Sequence, residues 1–306
     1  MRTRLLLVAL LVASSCSIGE TPGGPGAERA TGSPSPSPTA TDPEADPPEA
    51  FAPAPDRTLP RKPGRLAGEL RRVGRALNES VSSWRRSGAA RPQSVVVLQA
   101  LYQQRIYRLI SRNTKLGNRT MRRLDGLQAR SARGIVGAHR ELRGLTDPLP
   151  ANFTFPTGRA KPAGELLRYY KAARRRFGVS WRVLAAVNYI ESKFGKVKAT
   201  SSAGAKGPMQ FMPATWRAYG LGGNIRNDRD AILGAANYLR SSGANRGRAG
   251  LRDALWAYNH SDHYVRSVLA YMRYMKSRTR HYFMLYNWQV FVVTTRGDKR
   301  LTGPGL

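Results

Sequence analysis

Apolar residues recur every three or four positions between residues 64 and 146, the spacing that places side chains on one face of an α-helix. One stripe runs from Leu66 to Trp84, a second from Val95 to Ile110 and a third from Met121 to Val136. The positions between them are rich in arginine. We therefore predict two to four helices over residues 64–147, forming either a small bundle or a coiled-coil-like arm with a structural or docking role.

A proline-containing boundary at residues 146–156 precedes a second helical region, which we place at residues 160–280. Ser180 can cap a helix that runs to Phe194, and Asn227 can precede another helix over residues 231–240. Pro213 suits the start of a short helix. Two more amphipathic helices are predicted at residues 251–259 and 264–275.

The last part of the chain has a different pattern. Aromatic and β-branched residues alternate from Tyr286 to Thr294, and Arg296-Gly297-Asp298 can form a turn. This pattern predicts a short β-hairpin within residues 281–306. The fold class predicted from the pattern is mainly α, with a C-terminal hairpin.

The N-terminus carries the features of an export signal at residues 1–16. Arg2 and Arg4 precede an apolar run from Leu5 to Ala13, which is too short to span a bilayer. Cys16, the single cysteine, stands where a lipoprotein signal would be cut and the new N-terminus lipidated. The alternative is an ordinary secretory signal cleaved just before it. We expect an extracytoplasmic protein, either lipid-anchored to the membrane or secreted to the cell wall.

Residues 17–63 contain 12 of the 20 prolines of the chain. Such a segment buries too little apolar surface to fold, so we expect a disordered linker. A linker of this length would let an anchored domain reach from the membrane into the wall.

The formal net charge of the chain is +32, from 51 Lys and Arg against 19 Asp and Glu. A surface this basic favours anionic polymers. Because export argues against nucleic acid, we expect the partner to be an anionic wall polymer or a membrane surface. The oligomeric state stays open.

Glu191 is the candidate with the clearest chemical meaning. The region 160–280 holds six carboxylates. The five other than Glu191 lie near predicted helix starts, where capping and the helix dipole account for an acidic residue. Glu191 instead follows an almost continuous apolar run near a helix C-terminus. Burial there would raise its pKa and keep it protonated, as a general acid requires. The alternative is a solvent-facing glutamate beside Lys193.

Three sequence blocks in this region carry a family resemblance. They are Glu191-Ser192, the loop Gly207-Pro208-Met209-Gln210 and Ala257-Tyr258-Asn259. In this order and approximate spacing they resemble the lysozyme-like lytic transglycosylases, the family related to goose-type lysozyme. Pro208 replaces the Leu that is commoner in the loop. The resemblance covers about 120 of the 306 residues.

The resemblance implies a lysozyme-like catalytic domain that acts on peptidoglycan glycan strands and leaves a 1,6-anhydromuramic end. Glu191 would act first as acid and then as base, and Ser192 would orient it or contact substrate. Loop residues Gly207, Met209 and Gln210 would line or support the cleft. Tyr258 would hydrogen-bond near the acid, and Asn259 would support the site.

Two other functions stay open at this point. If Asp228 or Asp230 folded over the cleft, the enzyme could be a hydrolytic muramidase, because an ordinary glycosidase needs two carboxylates. A non-catalytic wall-binding scaffold is the second alternative. We expect no cofactor and no metal, since His260 and His263 lack an evident third ligand.

Overall fold

The structure is a computed structural model that describes residues 51–303. The predicted export signal, Cys16 and most of the predicted linker lie outside the described residues. Among those described there are eleven helices and one two-stranded sheet. The helices are α1 Pro63–Ser87, α2 Ser94–Arg112, α3 Thr114–Met121, α4 Gly126–Arg143, α5 Ala163–Phe177, α6 Trp181–Ser192, α7 Pro213–Tyr219, α8 Asp228–Ser241, α9 Gly247–Tyr258, α10 Asp262–Ser277 and α11 Arg280–Tyr286. The strands are β1 Phe291–Thr294 and β2 Gly297–Arg300.

The first predicted stripe is the buried face of α1, from Leu66 to Trp84. Pro63 lies in its first turn, where a missing N–H costs nothing, and Gly88 ends it in the left-handed conformation. Helices α1 to α4 pack on one another as a bundle rather than extending as an arm. Their core is continuous with that of the following helices, because α10 packs against both α4 and α6. The two predicted helical regions therefore share one hydrophobic core.

Residues 51–62 are in contact with the bundle, although the predicted linker extended to residue 63. The ring of Phe51 packs edge-on against Tyr102, with a centroid distance of 5.9 Å, and the Arg72 guanidinium lies 4.1 Å from the Phe51 centroid. Gln99 donates a hydrogen bond to the Phe51 carbonyl, and Arg105 donates to the carbonyls of Pro55 and Arg57. A buried aromatic contact and several hydrogen bonds together hold the end of this proline-rich segment against the core.

The C-terminal segment contains the predicted hairpin and one helix that was not predicted. Strands β1 and β2 pair antiparallel, with Phe291 opposite Arg300. The turn falls at residues 295–296, so Asp298 lies within β2 and not in the turn. Asp298 forms ion pairs with Arg108 of α2 and Arg143 of α4, at 2.9 and 2.8 Å. The hairpin is thus joined to the helical bundle.

Helix α6 ends at Ser192, two residues before the predicted end. Lys193 and Phe194 both have positive φ, 53° and 63°, and turn the chain away from the helix axis. This early end leaves Glu191 in the last turn of α6. None of the helices in residues 51–303 is long and apolar enough to cross a membrane.

Candidate active site

The Glu191 side chain is only 5% exposed, although it lies at the C-terminal end of α6. The helix dipole disfavours a negative charge at that end. Burial raises the pKa of Glu191 to about 8, against the opposing effects of a hydrogen bond from Tyr264 and the positive charge of Lys193. At neutral pH the carboxyl is therefore protonated and can donate a proton, which is the state required of a general acid.

Tyr264 of α10 is the hydrogen-bond donor to this carboxyl. Its hydroxyl lies 2.7 Å from Oε1 of Glu191, and its ring stacks on that of Tyr258 at 6.3 Å with an interplanar angle of 5°. Sequence reasoning missed Tyr264 because it lies outside the three blocks. The available signal was a tyrosine at the start of a predicted helix, three residues after the Ser261 that caps it.

Ser192 holds the end of α6 against the 207–210 loop. Its hydroxyl donates to the Pro208 carbonyl at 2.6 Å and accepts from the Gly195 amide at 2.9 Å. Asn188, one turn earlier, donates to the same carbonyl at 2.7 Å. The Ser192 side chain is fully buried, and these hydrogen bonds join the end of α6 to the loop.

The loop itself is a tight turn closed by backbone hydrogen bonds between Lys206 and Phe211, at 2.8 and 2.9 Å. Gly207 has φ +77°, and a Cβ at this position would lie 1.8 Å from the carbonyl oxygen of Ile225. No other residue fits here, for reasons of both backbone conformation and space. Gly207 therefore sets the shape of the loop that Ser192 contacts.

Met209 was expected to line the cleft, but its side chain is completely buried in the hydrophobic core. Its carbonyl has a defined role, because it accepts a hydrogen bond of 2.7 Å from the Tyr258 hydroxyl. Gln210 has a positive φ of 49° and donates to the Gly207 carbonyl at 2.9 Å. Its amide thus stabilises the loop from within, and its side chain is 8% exposed.

Tyr258 is the last residue of α9, and Asn259 follows it at the C-cap position. The Tyr258 ring stacks on the ring of Tyr264, and its hydroxyl bonds to the loop. Burial raises the pKa of the Tyr258 phenol, and the charge of Glu191 raises it further. Asn259 is half-buried, and its Oδ1 is buried without a hydrogen-bond partner. The fold thus brings the three sequence blocks together, joined by the Ser192–Pro208 and Tyr258–Met209 hydrogen bonds.

The other two carboxylates considered for the cleft are placed differently. Asp230 accepts a hydrogen bond from the Asn224 amide. Oδ1 of Asp228 lies close to Gly195, is buried without a partner, and burial raises the pKa of this carboxyl. Neither residue contributes to the raised pKa of Glu191. Within the described residues, no second carboxyl contributes to the raised pKa of Glu191.

The two histidines near the site make contacts with other side chains. Nδ1 of His263 pairs with Glu141 at 2.5 Å, and Arg266 joins the same carboxylate at 2.9 Å. His260 packs edge-on against Trp256, with ring centroids 4.7 Å apart. Residues 51–303 contain no group of three or more His, Cys, Asp or Glu that could hold a metal ion.

Comparison with known proteins relates part of this chain to one family. Residues 168–280 match the family model described as "Transglycosylase SLT domain". The chain is 36% identical over 75 residues to a "Membrane-bound lytic murein transglycosylase F" from Thiobacillus denitrificans. That match covers 24% of this chain and 16% of the relative, so it spans about a sixth of the relative's length. No solved structure matches the chain significantly.

Proposed function

We propose that this protein, whose residues 168–280 belong to the transglycosylase SLT domain family, is a peptidoglycan lytic transglycosylase. It would cleave the β-1,4 bond between N-acetylmuramic acid and N-acetylglucosamine and leave a 1,6-anhydromuramic end. The observation that carries the proposal is a single buried, protonated acid, Glu191, at the meeting point of the three sequence blocks.

In the first step Glu191 donates its proton to the glycosidic oxygen as the bond between that oxygen and the anomeric carbon breaks. The pKa of about 8 makes the acid form dominant at neutral pH. An ordinary glycosidase would use a second carboxylate as base or nucleophile. Neither Asp228 nor Asp230 affects the pKa of Glu191, which favours a reaction with one acid.

In the second step the Glu191 carboxylate accepts the proton of the muramic 6-hydroxyl while that oxygen bonds to the anomeric carbon. The proton given up in the first step is thereby recovered, and no water is consumed. Tyr264 donates to the carboxylate and the Lys193 charge attracts it, and both lower the pKa of Glu191. These groups stabilise the transient charge without removing the acid form in the resting enzyme.

The remaining site residues act on position and binding. Ser192 and Gly207 keep the loop against α6, and Tyr258 ties α9 to the same loop through Met209. The unpartnered Oδ1 of Asn259 is an acceptor suited to an amide or hydroxyl donor of the sugar. We assign Asn259 to substrate binding and the other five, Ser192, Gly207, Met209, Gln210 and Tyr258, to positioning.

The cell wall is the expected site of action. The matching relative is described as membrane-bound, and the chain begins with features of an export signal. We propose an extracytoplasmic enzyme anchored through a lipidated Cys16. The basic body of the protein would favour the anionic surroundings of the wall and membrane.

The test is to incubate the purified protein with peptidoglycan and to identify the products by mass spectrometry. We expect fragments ending in 1,6-anhydromuramic acid, and Glu191→Gln should abolish their release while the exposed-site control Glu79→Gln leaves it intact. Reducing ends in place of anhydro ends would instead make the enzyme a hydrolytic muramidase. Binding of peptidoglycan without cleavage by the folded protein would make it a wall-binding scaffold.

A further inference from the structure

A cavity away from Glu191 lies among α1, α2, the start of α4, the end of α10 and α11. It has a volume of about 310 Å³ and shares no residue with the candidate active site. Much of its lining comes from residues 71–131, outside the segment that matches the transglycosylase model. The proposed glycan cleavage therefore leaves this cavity without a role.

The floor of the cavity contains an unsatisfied buried acceptor. Gln103 is 4% exposed, and its Oε1 has no hydrogen-bond partner. A buried polar atom left unpaired costs about 1–3 kcal/mol, so a ligand that carries a hydroxyl or amide donor would gain from reaching it. The Tyr274 ring, which stacks on His281 with centroids 4.0 Å apart, forms part of the wall.

The rim carries a net positive charge. Arg71, Arg75 and Arg278 line the cavity, and Asp125 is the one acid among its lining residues. Burial lowers the pKa of His281 to about 4, so this imidazole is neutral. The balance of three cations against one anion favours an anionic ligand.

The first turn of α4 also lines the cavity, and its amides have no side-chain cap. Asp125 stands at the N-cap position but makes no hydrogen bond to them. Uncapped amides at the positive end of a helix are suited to a phosphate. Together with the Gln103 acceptor, these features select a phosphate that also carries hydroxyl groups.

The surface around the cavity points to the source of this phosphate. Leu127, on the rim, is 57% exposed, more than any other large apolar residue in the described chain. Its neighbours in the sequence include six exposed cations and one acid, on α3, on α4 and in the segment between these helices. The cations are Lys115, Arg119, Arg122, Arg123, Arg130 and Arg133. An exposed apolar side chain among basic residues is the arrangement that binds an anionic membrane surface.

We propose that this cavity binds the polyol-phosphate headgroup of an anionic lipid, with Leu127 inserted into the same membrane. The phosphate would contact Arg71, Arg75 and the α4 amides, and a headgroup hydroxyl would donate to Oε1 of Gln103. The catalytic body would then be held at the membrane by a protein contact in addition to any anchor at Cys16. This contact does not depend on the proposed cleavage of peptidoglycan.

The test is co-sedimentation of the full chain with lipid vesicles, with Cys16→Ser in every sample so that acylation plays no part. Vesicles contain phosphatidylglycerol in phosphatidylcholine, or phosphatidylserine at the same surface charge. We expect tighter binding to phosphatidylglycerol, because its headgroup carries glycerol hydroxyls and that of phosphatidylserine does not. Gln103→Met should remove that preference, and Arg75→Gln should weaken binding about fivefold, as expected for one charge near the surface.

Arg86→Gln, which removes an exposed charge of α1 outside the cavity lining, is the matched control and should have little effect. Equal losses for Arg75→Gln and Arg86→Gln would overturn the cavity assignment, since they would indicate a diffuse charge effect. Equal binding to the two anionic lipids would overturn it as well. Calorimetric binding of free glycerol phosphate without vesicle binding would contradict the lipid source. Arg75 is exposed, so its replacement should leave folding intact.

Discussion

The hydroxyl of Tyr264 donates a hydrogen bond of 2.7 Å to Oε1 of Glu191, a residue 73 positions earlier in the chain. The bond favours the ionised carboxylate and so opposes the burial that keeps Glu191 protonated. In the proposed reaction the carboxyl must lose and then regain a proton. A carboxyl whose pKa is raised by burial and lowered by a hydrogen bond is suited to both steps.

Replacing Tyr264 by phenylalanine should move the alkaline limb of activity to higher pH. In the wild type this hydrogen bond lowers the pKa of Glu191, so its loss should raise that pKa further above about 8. A hydrogen bond to a charged group contributes about 1.5–3 kcal/mol, which corresponds to a shift of about one to two pH units. The measurement is the pH profile of kcat/KM, which reports the acid in the free enzyme.

Tyr258→Phe is the matched control for this profile. The Tyr258 hydroxyl donates to the Met209 carbonyl and not to Glu191, so the limb should move much less. An equal displacement in both variants would mean that general disturbance of the site, and not the hydrogen bond, sets the pKa.

Glu191→Gln should remove activity and yet raise stability relative to the wild type as pH rises from 4.5 to about 8. The folded pKa of about 8 exceeds the ordinary value of 4.5, so the folded protein binds more protons than the unfolded chain between these values. Stability of the wild type therefore falls as pH rises through this window. Glutamine does not ionise, so the stability of the variant does not fall in this way. Its melting temperature should exceed that of the wild type by a few degrees at pH 8.

At pH 4 the same two proteins should melt at nearly equal temperatures, because Glu191 is then protonated in both the folded and unfolded states. Glu79→Gln, at an exposed site, should show no such pH-dependent difference. A gap between Glu191→Gln and wild type that stayed constant from pH 4 to 8 would argue against a buried, protonated Glu191.

Ser192→Ala should destabilise the fold and reduce activity together. The change leaves the Pro208 carbonyl and the Gly195 amide each short of a buried hydrogen bond, at a cost of about 1–3 kcal/mol. Urea unfolding and the rate of peptidoglycan cleavage measure the two effects. Ser202→Ala, at an exposed position of the following loop, should change neither. Lost activity at full stability would instead point to substrate contact.

Gly207→Ala should be much more damaging than Gly204→Ala. Both glycines have positive φ, which costs another residue about 1–2 kcal/mol. At Gly204 nothing lies within 4 Å of an added Cβ, whereas at Gly207 that atom would meet the Ile225 carbonyl at 1.8 Å. Comparing the free energies of unfolding isolates this steric term. Similar values for the two variants would show that the loop shifts freely around residue 207.

Much of the fold could be predicted from periodicity, because one buried face per helix leaves a repeat that does not depend on distant residues. The α1 stripe, the helix α8 that follows Asn227 and the C-terminal hairpin are confirmed in this way, whereas Ser180 precedes α6 without making a side-chain cap hydrogen bond. Boundaries were less accurate. Helix α6 ends at Ser192, because Lys193 and Phe194 adopt a conformation that sequence does not favour for such residues.

By itself, the sequence determined the mainly helical architecture, which follows from local periodicity. It also led to the predictions of an export signal and, through the three sequence blocks, of Glu191 as the acid. The tertiary structure alone decided that the N-terminal helices form a bundle sharing the central core and that residues from position 51 pack on it. It also decided that Met209 and Ser192 are buried and that Tyr264 contacts the acid. These features depend on which segments, far apart in the chain, meet in space, and a burial pattern along one helix does not specify its neighbour.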